Sequence, residues 1–600
     1  MTPSPVAGPV PATGASAPRR RKGHTMTDLL LDVTPASAVP RGTSAAAAHP
    51  DGPTAGATRR GARVEARGVS QRAGGRRTLT DVSLAVEPGE LVAIAGGSGT
   101  GKTTLLRLLA GLRAPTDGRV THDGVTVGGR RTPGIGVGYV PQDDVIHREL
   151  PLRRTLRYTA ALRLPAGTPR EAVDAAVDGT LRALDLDGRA EVPVRALSGG
   201  QRKRASIAAE LLTHPRSFFL DEPTSGLDPA TSAEVVALLR RLAADGVTVV
   251  LTTHDPAVVE RCDRVVFLAA DGHLAFAGPV GAARTHFGVG ELAEVYTKIA
   301  ASPARELADR FAAHRPQPPP SSAAPAPAPA PAAPEVPRPG PVRQWWLLTR
   351  RNADVLVRNR LTLAVLLGSP ALVTAMMAML FRPGAFAGGD TAGTGSTQTV
   401  FWVAFAGFFF GLTYGLLQVV GELAVFRREH LAGARVGAYV AAKVTALLPV
   451  LAFVTAVLLG VLRALDRLPP LGAGAYLTLA GTLLLESTAA LALGLLASAT
   501  VTDTAQAALA LPMLCFPQVL FAGAIVPVDA MATPGRLLST VLANRHAFEA
   551  LGRVLGLDAP TAPAGAFAGS PVPCWLALVA LAAAALAATT AVLARRARGG

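Results

Sequence analysis

Hydrophobic and polar positions divide the chain into two parts of different character. From about Ala62 to residue 290, short apolar runs of strand length, such as Leu91 to Ala95 and Val247 to Thr252, are separated by longer mixed segments. That alternation is typical of an α/β domain. After about Leu361 long apolar and uncharged segments follow, and most approach the roughly 20 residues that a helix needs to cross a bilayer. The pattern therefore predicts an α/β domain followed by an all-α membrane domain with six transmembrane helices.

The same pattern predicts the domain boundaries. Residues 1–60 are rich in Ala, Pro, Gly and Thr and too poor in apolar side chains to form a core, so we expect disorder. Residues 61–290 are interpreted as the α/β domain, residues 291–342 as a Pro/Ala-rich linker of extended polyproline type, and residues 343–600 as the membrane domain. The helical spacing of apolar and basic side chains in residues 344–358 predicts an amphipathic connecting helix along the cytoplasmic membrane surface. The six spans are expected near residues 361–381, 400–420, 441–463, 473–498, 505–527 and 574–594.

Composition and charge narrow the classes of protein. Hydrophobic residues make up 49% of the chain and the mean hydropathy is +0.32, which is high for a soluble protein. The formal net charge is +16, but the arginines are scattered or flank apolar segments, as at the cytoplasmic ends of membrane helices. We expect no nucleic-acid partner, because basic clusters interleaved with aromatic residues are missing from the sequence. Cys262, Cys515 and Cys574 have no paired spacing that would indicate disulfides or a zinc site.

A glycine-rich loop follows the apolar run Leu91 to Ala95 and precedes a leucine-rich helix pattern. In a strand–loop–helix unit, the backbone N–H groups of such a loop and the helix N-terminus form a site for nucleotide phosphates. Lys102 would reach the β- and γ-phosphates, and the hydroxyl of Thr103 would bind Mg²⁺. The predicted phosphate-binding residues are Gly96, Gly97, Ser98, Gly99, Thr100, Gly101, Lys102, Thr103 and Thr104.

Polar residues at the ends of three further predicted strands have the chemistry of ATP hydrolysis. Gln142 could ligate Mg²⁺ and position water, or be an ordinary surface glutamine. Asp221 ends a buried strand and can hold Mg²⁺ through water, while Glu222 is placed to polarise a water against the γ-phosphate. His254 ends another strand, at the edge of a sheet where ligand sites gather.

A second helix start with anion-binding character lies near Gln201. Ser198, Gly199 and Gly200 precede the helix, so capping and backbone N–H groups again favour an anion. One nucleotide does not need two such sites on one chain. The economical interpretation is that this helix start closes on the nucleotide held by another copy.

In order and spacing, these motifs resemble the ATPase domain of ABC transporters over about residues 62–290. The resemblance implies ATP and Mg²⁺ as cofactors, with Glu222 as catalytic base. It assigns catalysis to Lys102, Gln142, Glu222 and His254, Mg²⁺ binding to Thr103, Gln142 and Asp221, capping of the partner's ATP to Ser198, Gly199, Gly200 and Gln201, and a dimer loop to Asp228. One departure is that Val69 to Gly75 lacks the aromatic residue that often stacks on adenine in this family.

The order of the two domains is similar to that of G-subfamily half-transporters. Glu422, Arg427, Arg428 and Glu429 resemble the coupling stretch that presses against the ATPase, although a solvated charged loop is the alternative. Glu486 falls in the fourth predicted span, where an ionisable group is costly. It lies either on the substrate path or within helix packing as a protonated or hydrogen-bonded carboxyl.

Together these features favour an ATP-driven exporter in the cytoplasmic membrane, with the N-terminus and ATPase domain in the cytoplasm. It would work as a dimer with a second copy or a related half-transporter; the substrate is not identified by the sequence, and an apolar membrane cavity would suit a lipophilic or amphipathic one. One alternative is a soluble ABC ATPase acting on ribosomes or DNA, which the apolar half of the chain contradicts. The other is an ATP-driven membrane regulator of an envelope partner.

Overall fold

The computed structural model describes residues 61–128, 136–314, 338–384, 386, 394–557 and 567–598. The disorder expected for residues 1–60 falls outside these ranges, as does the proline-rich centre of the predicted linker.

The N-terminal α/β domain contains two sheets. The strands are β1 (Val64–Ala73), β2 (Arg76–Val86), β3 (Leu91–Gly96), β4 (Asp117–His122), β5 (Val125–Val127), β6 (Val137–Val140), β7 (Ser217–Leu220), β8 (Thr248–Thr253), β9 (Arg264–Leu268) and β10 (Leu274–Pro279). An antiparallel sheet has the order β2–β1–β4–β5, and the central sheet has the order β10–β9–β3–β8–β7–β6. In the central sheet β6, β7, β8, β3 and β9 are parallel, and only β10 is antiparallel to its neighbour. The carboxyl ends of these parallel strands therefore lie at one edge.

Helices cover the central sheet, and β3, β7 and β8 are buried at every residue, as expected for parallel strands packed on both faces. The helices of this domain are α1 (Lys102–Leu109), α2 (Leu152–Arg163), α3 (Arg170–Ala183), α4 (Gly199–Leu211), α5 (Pro229–Ala244), α6 (Pro256–Val259), α7 (Val280–Phe287), α8 (Leu292–Ala301) and α9 (Ala304–His314).

Two of these helices lie in the segment that the sequence assigned to the linker. Helices α8 and α9 bury Val295, Ile299, Leu307 and Phe311, so the apolar residues recur at helical spacing. The Phe311 ring packs against Phe276 of β10 with 5.6 Å between ring centroids. The expectation of an extended linker is therefore wrong for residues 292–314. Each of these two helices has an apolar face that packs on the domain core, and the prediction from composition did not take that face into account.

The C-terminal part is helical throughout its described residues. Its helices are α10 (Pro341–Arg358), α11 (Arg360–Leu380), α12 (Thr394–Leu416), α13 (Leu423–Leu431), α14 (Val436–Ala464), α15 (Ala473–Thr500), α16 (Thr504–Leu520), α17 (Thr533–Thr540), α18 (Ala543–Leu555) and α19 (Val572–Arg598). Helix α15 packs along both α12 and α19, and α10 packs along α14.

Five described stretches are long and apolar enough to cross a membrane, one fewer than the sequence predicts. They are Thr362–Leu380, Gly395–Leu431, Val436–Ala464, Ala473–Thr500 and Val572–Ala597. The fifth predicted span, residues 505–527, forms only the 17-residue helix α16. Pro512 and Pro517 lie inside it, and each removes a helical hydrogen bond, so the helix ends at Leu520 before the predicted boundary.

Close packing of α12 on α15 depends on glycine. Gly407, Gly411 and Gly415 recur at every fourth position of α12. A Cβ atom at Gly411 would stand 2.1 Å from the backbone oxygen of Ser487. The Ser487 hydroxyl also donates a hydrogen bond of 2.9 Å to the carbonyl of Gly407. Small residues of this kind let membrane helices approach closely. The sequence analysis did not identify this contact, although the spacing is visible in the sequence.

Candidate ATPase site and its contacts with the membrane helices

The phosphate loop lies between β3 and α1, as the sequence predicts. Gly96, Gly99 and Gly101 have positive φ angles of 148°, 78° and 93°. A Cβ atom at Gly101 would stand 2.4 Å from the backbone oxygen of Thr78, so glycine is required there by both conformation and space. The Lys102 amine donates to the carbonyls of Gly96, at 3.0 Å, and Gly97, at 2.8 Å. Burial lowers the pKa of Lys102, while the nearby carboxylates of Glu222 and Asp221 oppose that shift.

A carboxylate and two hydroxyls meet beside this loop. The Oδ1 atom of Asp221 accepts hydrogen bonds from the hydroxyl of Thr103, at 2.9 Å, and from that of Thr252, at 2.8 Å. Asp221 is 3% exposed. Carboxylate and hydroxyl oxygens are the ligands that Mg²⁺ prefers, and the metal usually binds through few of them together with substrate phosphates. The residues present therefore fit a magnesium ion.

Glu222 lies between two of the other residues predicted to be catalytic. Its Oε2 atom accepts a hydrogen bond of 3.3 Å from the side-chain amide of Gln142, and its Oε1 atom lies 3.5 Å from Nδ1 of His254. The Glu222 backbone has φ 42°, and its N–H donates to the Thr252 hydroxyl at 2.8 Å. These contacts arise because Gln142, Glu222 and His254 follow the adjacent parallel strands β6, β7 and β8. The site thus has a carboxylate, an amide and an imidazole beside a phosphate-binding loop.

The four residues predicted to cap the partner's ATP, called the signature residues below, form the capped start of helix α4, the signature helix; they are Ser198, Gly199, Gly200 and Gln201. The Ser198 hydroxyl accepts a hydrogen bond from the backbone N–H of Gln201, and the Gln201 side chain accepts one from the backbone N–H of Ser198. This reciprocal arrangement fixes the N-terminus of α4. Gly200 packs against Thr231, where a Cβ atom would stand 2.2 Å from Cγ2, and Gly199 lies beside Leu227. Three cavities lie beside these residues: one includes Gly199 in its lining, another includes Thr103, and the third includes neither.

Asp228 has a local structural role at the start of α5. Its carboxylate accepts hydrogen bonds from the Thr231 backbone N–H, at 3.0 Å, and from the Thr231 hydroxyl, at 2.6 Å. Its predicted place in a dimer loop stays a prediction. The tip of the hairpin between β1 and β2, where many family members place an aromatic residue against adenine, instead carries the exposed side chains of Arg72, Arg76 and Arg77.

Arg428 connects the membrane helices to the ATPase domain. Its Nε atom donates to Oε1 of Glu210 at 2.7 Å, and its Nη1 atom donates to the backbone oxygen of Val145. Arg163 also holds the Glu210 carboxylate, through two hydrogen bonds of 2.7 and 2.9 Å. Burial alone would raise the pKa of Glu210, but the two arginines outweigh it and lower that pKa to about 2. The α13 helix is therefore ion-paired to the ATPase domain rather than exposed as a solvated loop.

The remaining predicted coupling residues make different contacts. Glu429 forms an ion pair with Arg351 of α10, including a hydrogen bond of 3.0 Å, and Glu422 lies 2.6 Å from the amine of Lys443 in α14. Arg427 is exposed and lines a cavity that also reaches Gln142. Helix α10 contacts the ATPase domain in turn, because Asp354 accepts hydrogen bonds from Arg154, at 2.9 Å, and from Tyr158.

Three interface residues, Glu210, Arg163 and Asp354, were not predicted from the sequence. They lie on helices whose charged positions look like ordinary solvated surface in a single sequence, so only the packing reveals their partners.

Glu486 lies in the contact between α12 and α15. It is fully buried, and a Cβ atom at Gly407 would stand 3.1 Å from its Oε2 atom. Neither carboxylate oxygen has a hydrogen-bond partner among the described residues, and Glu486 lines none of the three cavities. This position matches the helix-packing alternative, and a role on the substrate path stays a prediction.

Fold and site together define a phosphate-loop ATPase joined to a helical membrane domain. Comparison with known proteins specifies both parts. Residues 79–225 match the ABC transporter family, and residues 343–554 match the ABC-2 type transporter family. The chain is therefore a member of the ABC transporters in which an ATP-binding domain precedes an ABC-2 type membrane domain.

Three relatives agree with this assignment, and the names of two of them place those two in the G family. The ABC transporter ATP-binding/permease protein Rv1747 of Mycobacterium tuberculosis is 34% identical over 475 residues, which are 78% of this chain and 54% of the relative. ABC transporter G family member 21 of Arabidopsis thaliana is 41% identical over 36% of this chain and 32% of its own length. The broad substrate specificity transporter ABCG2 of Rattus norvegicus is 37% identical over 35% of this chain and 33% of its own length. The matched stretches thus span about half or less of these curated relatives.

Proposed function

We propose that this protein is an ATP-driven exporter of the G-family type, formed by two copies of the chain or by this chain and a related half-transporter. The domain order and the G-family relatives support this proposal. The name of the rat relative records broad substrate specificity and no substrate class, so a lipophilic or amphipathic substrate stays a prediction from the sequence. The ATPase domain and α13 would both lie on the cytoplasmic side, because ATP is cytosolic and Arg428 ties the two together.

The observation that supports coupled ATP hydrolysis best is the set of contacts made by residues 142–145. At one end, Gln142 donates to the catalytic candidate Glu222, and its backbone oxygen accepts a hydrogen bond of 2.7 Å from Lys203 in the signature helix. Only three residues later, the Val145 backbone oxygen accepts a hydrogen bond from Arg428 of the membrane domain. A shift of the loop at the γ-phosphate would therefore move groups that hold both the signature helix and α13.

Hydrolysis would use the residues at the edge of the central sheet. Lys102 would turn from the loop carbonyls to the β- and γ-phosphates, and Thr103 and Asp221 would hold Mg²⁺, which neutralises charge on those phosphates. Glu222 would accept a proton from the attacking water, with Gln142 and His254 holding its carboxylate in place.

Each nucleotide would be enclosed by two chains. The Ser198 to Gln201 helix start is preorganised for an anion, and it belongs to a different strand–helix unit from the phosphate loop of its own chain. A two-fold dimer would place it opposite the partner's loop, with Asp228 near the contact. ATP binding would then draw two ATPase domains together and transmit the movement through α13.

Mixing two inactive variants tests this arrangement. Lys102→Ala removes the phosphate-loop amine, and Ser198→Arg fills the signature helix start, so each variant alone should lose ATP hydrolysis. When the two are co-expressed, a mixed dimer has one intact composite site, because one chain supplies the loop and the other the signature. Random pairing makes about half of the dimers mixed, and each mixed dimer keeps one of its two sites, so about a quarter of wild-type turnover should return. No recovery, despite mixed dimers recovered through two different affinity tags, would contradict the composite site.

A further inference from the structure

We propose that the cavity between the ATPase domain and α13 is a binding site for a phosphate-bearing anion, supplied either by an inner-leaflet lipid headgroup or by soluble phosphate. The cavity has a volume of about 460 Å³. This proposal goes beyond ATP-driven transport and does not depend on which substrate is moved.

The charge of the lining is strongly positive. Six arginines line the cavity, namely Arg107, Arg113, Arg163, Arg338, Arg427 and Arg428, against three acidic residues. Two of the three acids are already engaged, because Glu210 is held by Arg163 and Arg428 and Asp221 accepts from Thr103 and Thr252. Among the described residues, Arg107, Arg113, Arg338 and Arg427 form no ion pair with a carboxylate. Several guanidinium groups therefore share one space with an excess of positive charge.

A buried donor in the wall lacks a partner. Arg428 has a side chain only 10% exposed, and its Nη2 atom has no hydrogen-bond partner in the described part of the chain, although its Nε and Nη1 atoms are both engaged. Leaving such a donor unsatisfied is costly, and an oxygen-rich anion in the cavity would satisfy it. Arginine forks are suited to phosphate because they donate in pairs to its oxygens.

The position of the cavity explains why a lipid headgroup is one source. Its wall includes Ala424, Leu431 and Ala432 along and just after α13, and Ala597 at the end of α19, the last candidate span. Arg338, which packs on Gly433 after α13, also lines it. Basic pockets at the cytoplasmic ends of membrane helices are typical sites for anionic headgroups. The lining also includes Gln142 and Thr103, so an occupant would lie between the nucleotide site and α13.

Binding can be measured on the full chain in a neutral detergent. We would titrate short-chain phosphatidylglycerol, phosphatidylcholine of the same chain length and inorganic phosphate, and read the unfolding temperature. Phosphatidylglycerol should raise that temperature in a saturable way and phosphatidylcholine should not. Inorganic phosphate can also bind the phosphate loop of the wild type, so it is titrated against Lys102→Ala as well. Stabilisation by inorganic phosphate that Lys102→Ala retains would assign the site to a soluble anion, whereas stabilisation by the lipid alone would assign it to a headgroup.

Variants locate the site. Arg338→Gln and Arg113→Gln each change one arginine of the cavity lining, and each should weaken binding of phosphatidylglycerol about fivefold, as expected for one basic residue near an anionic headgroup. Arg189→Gln, an exposed arginine that lines none of the three cavities, is the matched control and should leave binding unchanged. Lys102→Ala should also leave it unchanged. Equal affinities for wild type and both cavity variants, equal stabilisation by phosphatidylcholine, or loss of binding in Lys102→Ala would overturn the proposal.

Discussion

The ion pair between Arg428 and Glu210 should stabilise the contact between the two domains by a measurable amount. The pKa of Glu210 is lowered from 4.5 to about 2, which corresponds to roughly 3 kcal/mol of stabilisation of the carboxylate. Arg163 makes two of the hydrogen bonds and Arg428 makes one, and a buried charged pair of this kind typically shows an interaction energy of about 0.5–3 kcal/mol. The pair should contribute fully at neutral pH, because a lowered carboxyl pKa adds stability above 4.5 that is lost only as the pH falls towards 2.

Single substitutions on the two sides should therefore have unequal effects. Glu210→Gln leaves Arg163 and Arg428 buried without their carboxylate, which should cost about 3–5 kcal/mol of unfolding free energy. Arg428→Gln leaves Glu210 still paired with Arg163 and should cost less. Urea unfolding of the full chain in detergent measures both, with tryptophan fluorescence as the signal, since Trp345 and Trp346 lie on the α10 helix beside this interface.

A double-mutant cycle isolates the pair itself. The double variant should be less destabilised than the sum of the two single variants, with an interaction energy of about 1 kcal/mol or more. Arg189→Gln combined with Glu210→Gln is the control and should show additive losses, because Arg189 is exposed outside the interface. Additive losses of unfolding free energy in the Arg428 cycle, or a larger loss for Arg428→Gln than for Glu210→Gln, would show that Arg428 and Glu210 do not form this stabilising pair.

Two further predictions concern packing and pH. Gly411→Ala should lower the unfolding temperature strongly, because its Cβ atom would stand 2.1 Å from the backbone oxygen of Ser487. The control Gly481→Ala in α15 should be tolerated, because a Cβ atom there has nothing within 4 Å. Similar unfolding temperatures for the two variants would contradict the close contact between α12 and α15. Burial and the nearby Arg351 lower the pKa of His147 from 6.5 to about 4. Between these two pH values the unfolded chain binds a proton on His147 that the folded protein does not bind. The folded protein should therefore lose stability as the pH falls from 6.5 towards 4. Unfolding measured across that range should show a flatter pH profile for His147→Gln, and an unchanged profile would count against a neutral buried imidazole.

The ATPase site was predictable because its residues occupy the ends of adjacent parallel strands. Gln142, Asp221 and His254 each follow an apolar run, and parallel strands bring their carboxyl ends to one edge, where the structure joins Glu222 to Gln142 and His254. Pattern and topology are sufficient for bringing these side chains together, whereas their catalytic roles come from the family resemblance and stay predictions. No long-range partner had to be guessed.

The interface was less predictable because its partners are remote in sequence. Arg428 and Glu210 are separated by 218 positions, and Asp354 and Tyr158 by 196, so nothing local in the sequence pairs them. The short α16 helix differs from its prediction for another reason. Its residues are apolar enough for a span, but Pro512 and Pro517 interrupt the backbone hydrogen bonds that hydropathy does not count.

The most direct test of the account is ATP hydrolysis by the purified full chain in lipid, comparing wild type with Glu222→Gln. Glu171→Gln, an exposed carboxylate in α3, is the matched control and should keep wild-type turnover. Glu222→Gln should still bind ATP but lose turnover by about 10²–10⁴-fold, the usual contribution of a general base. Turnover by Glu222→Gln at the wild-type rate would contradict the assignment of Glu222, and an inactive but folded wild type would contradict two copies of this chain as the working unit.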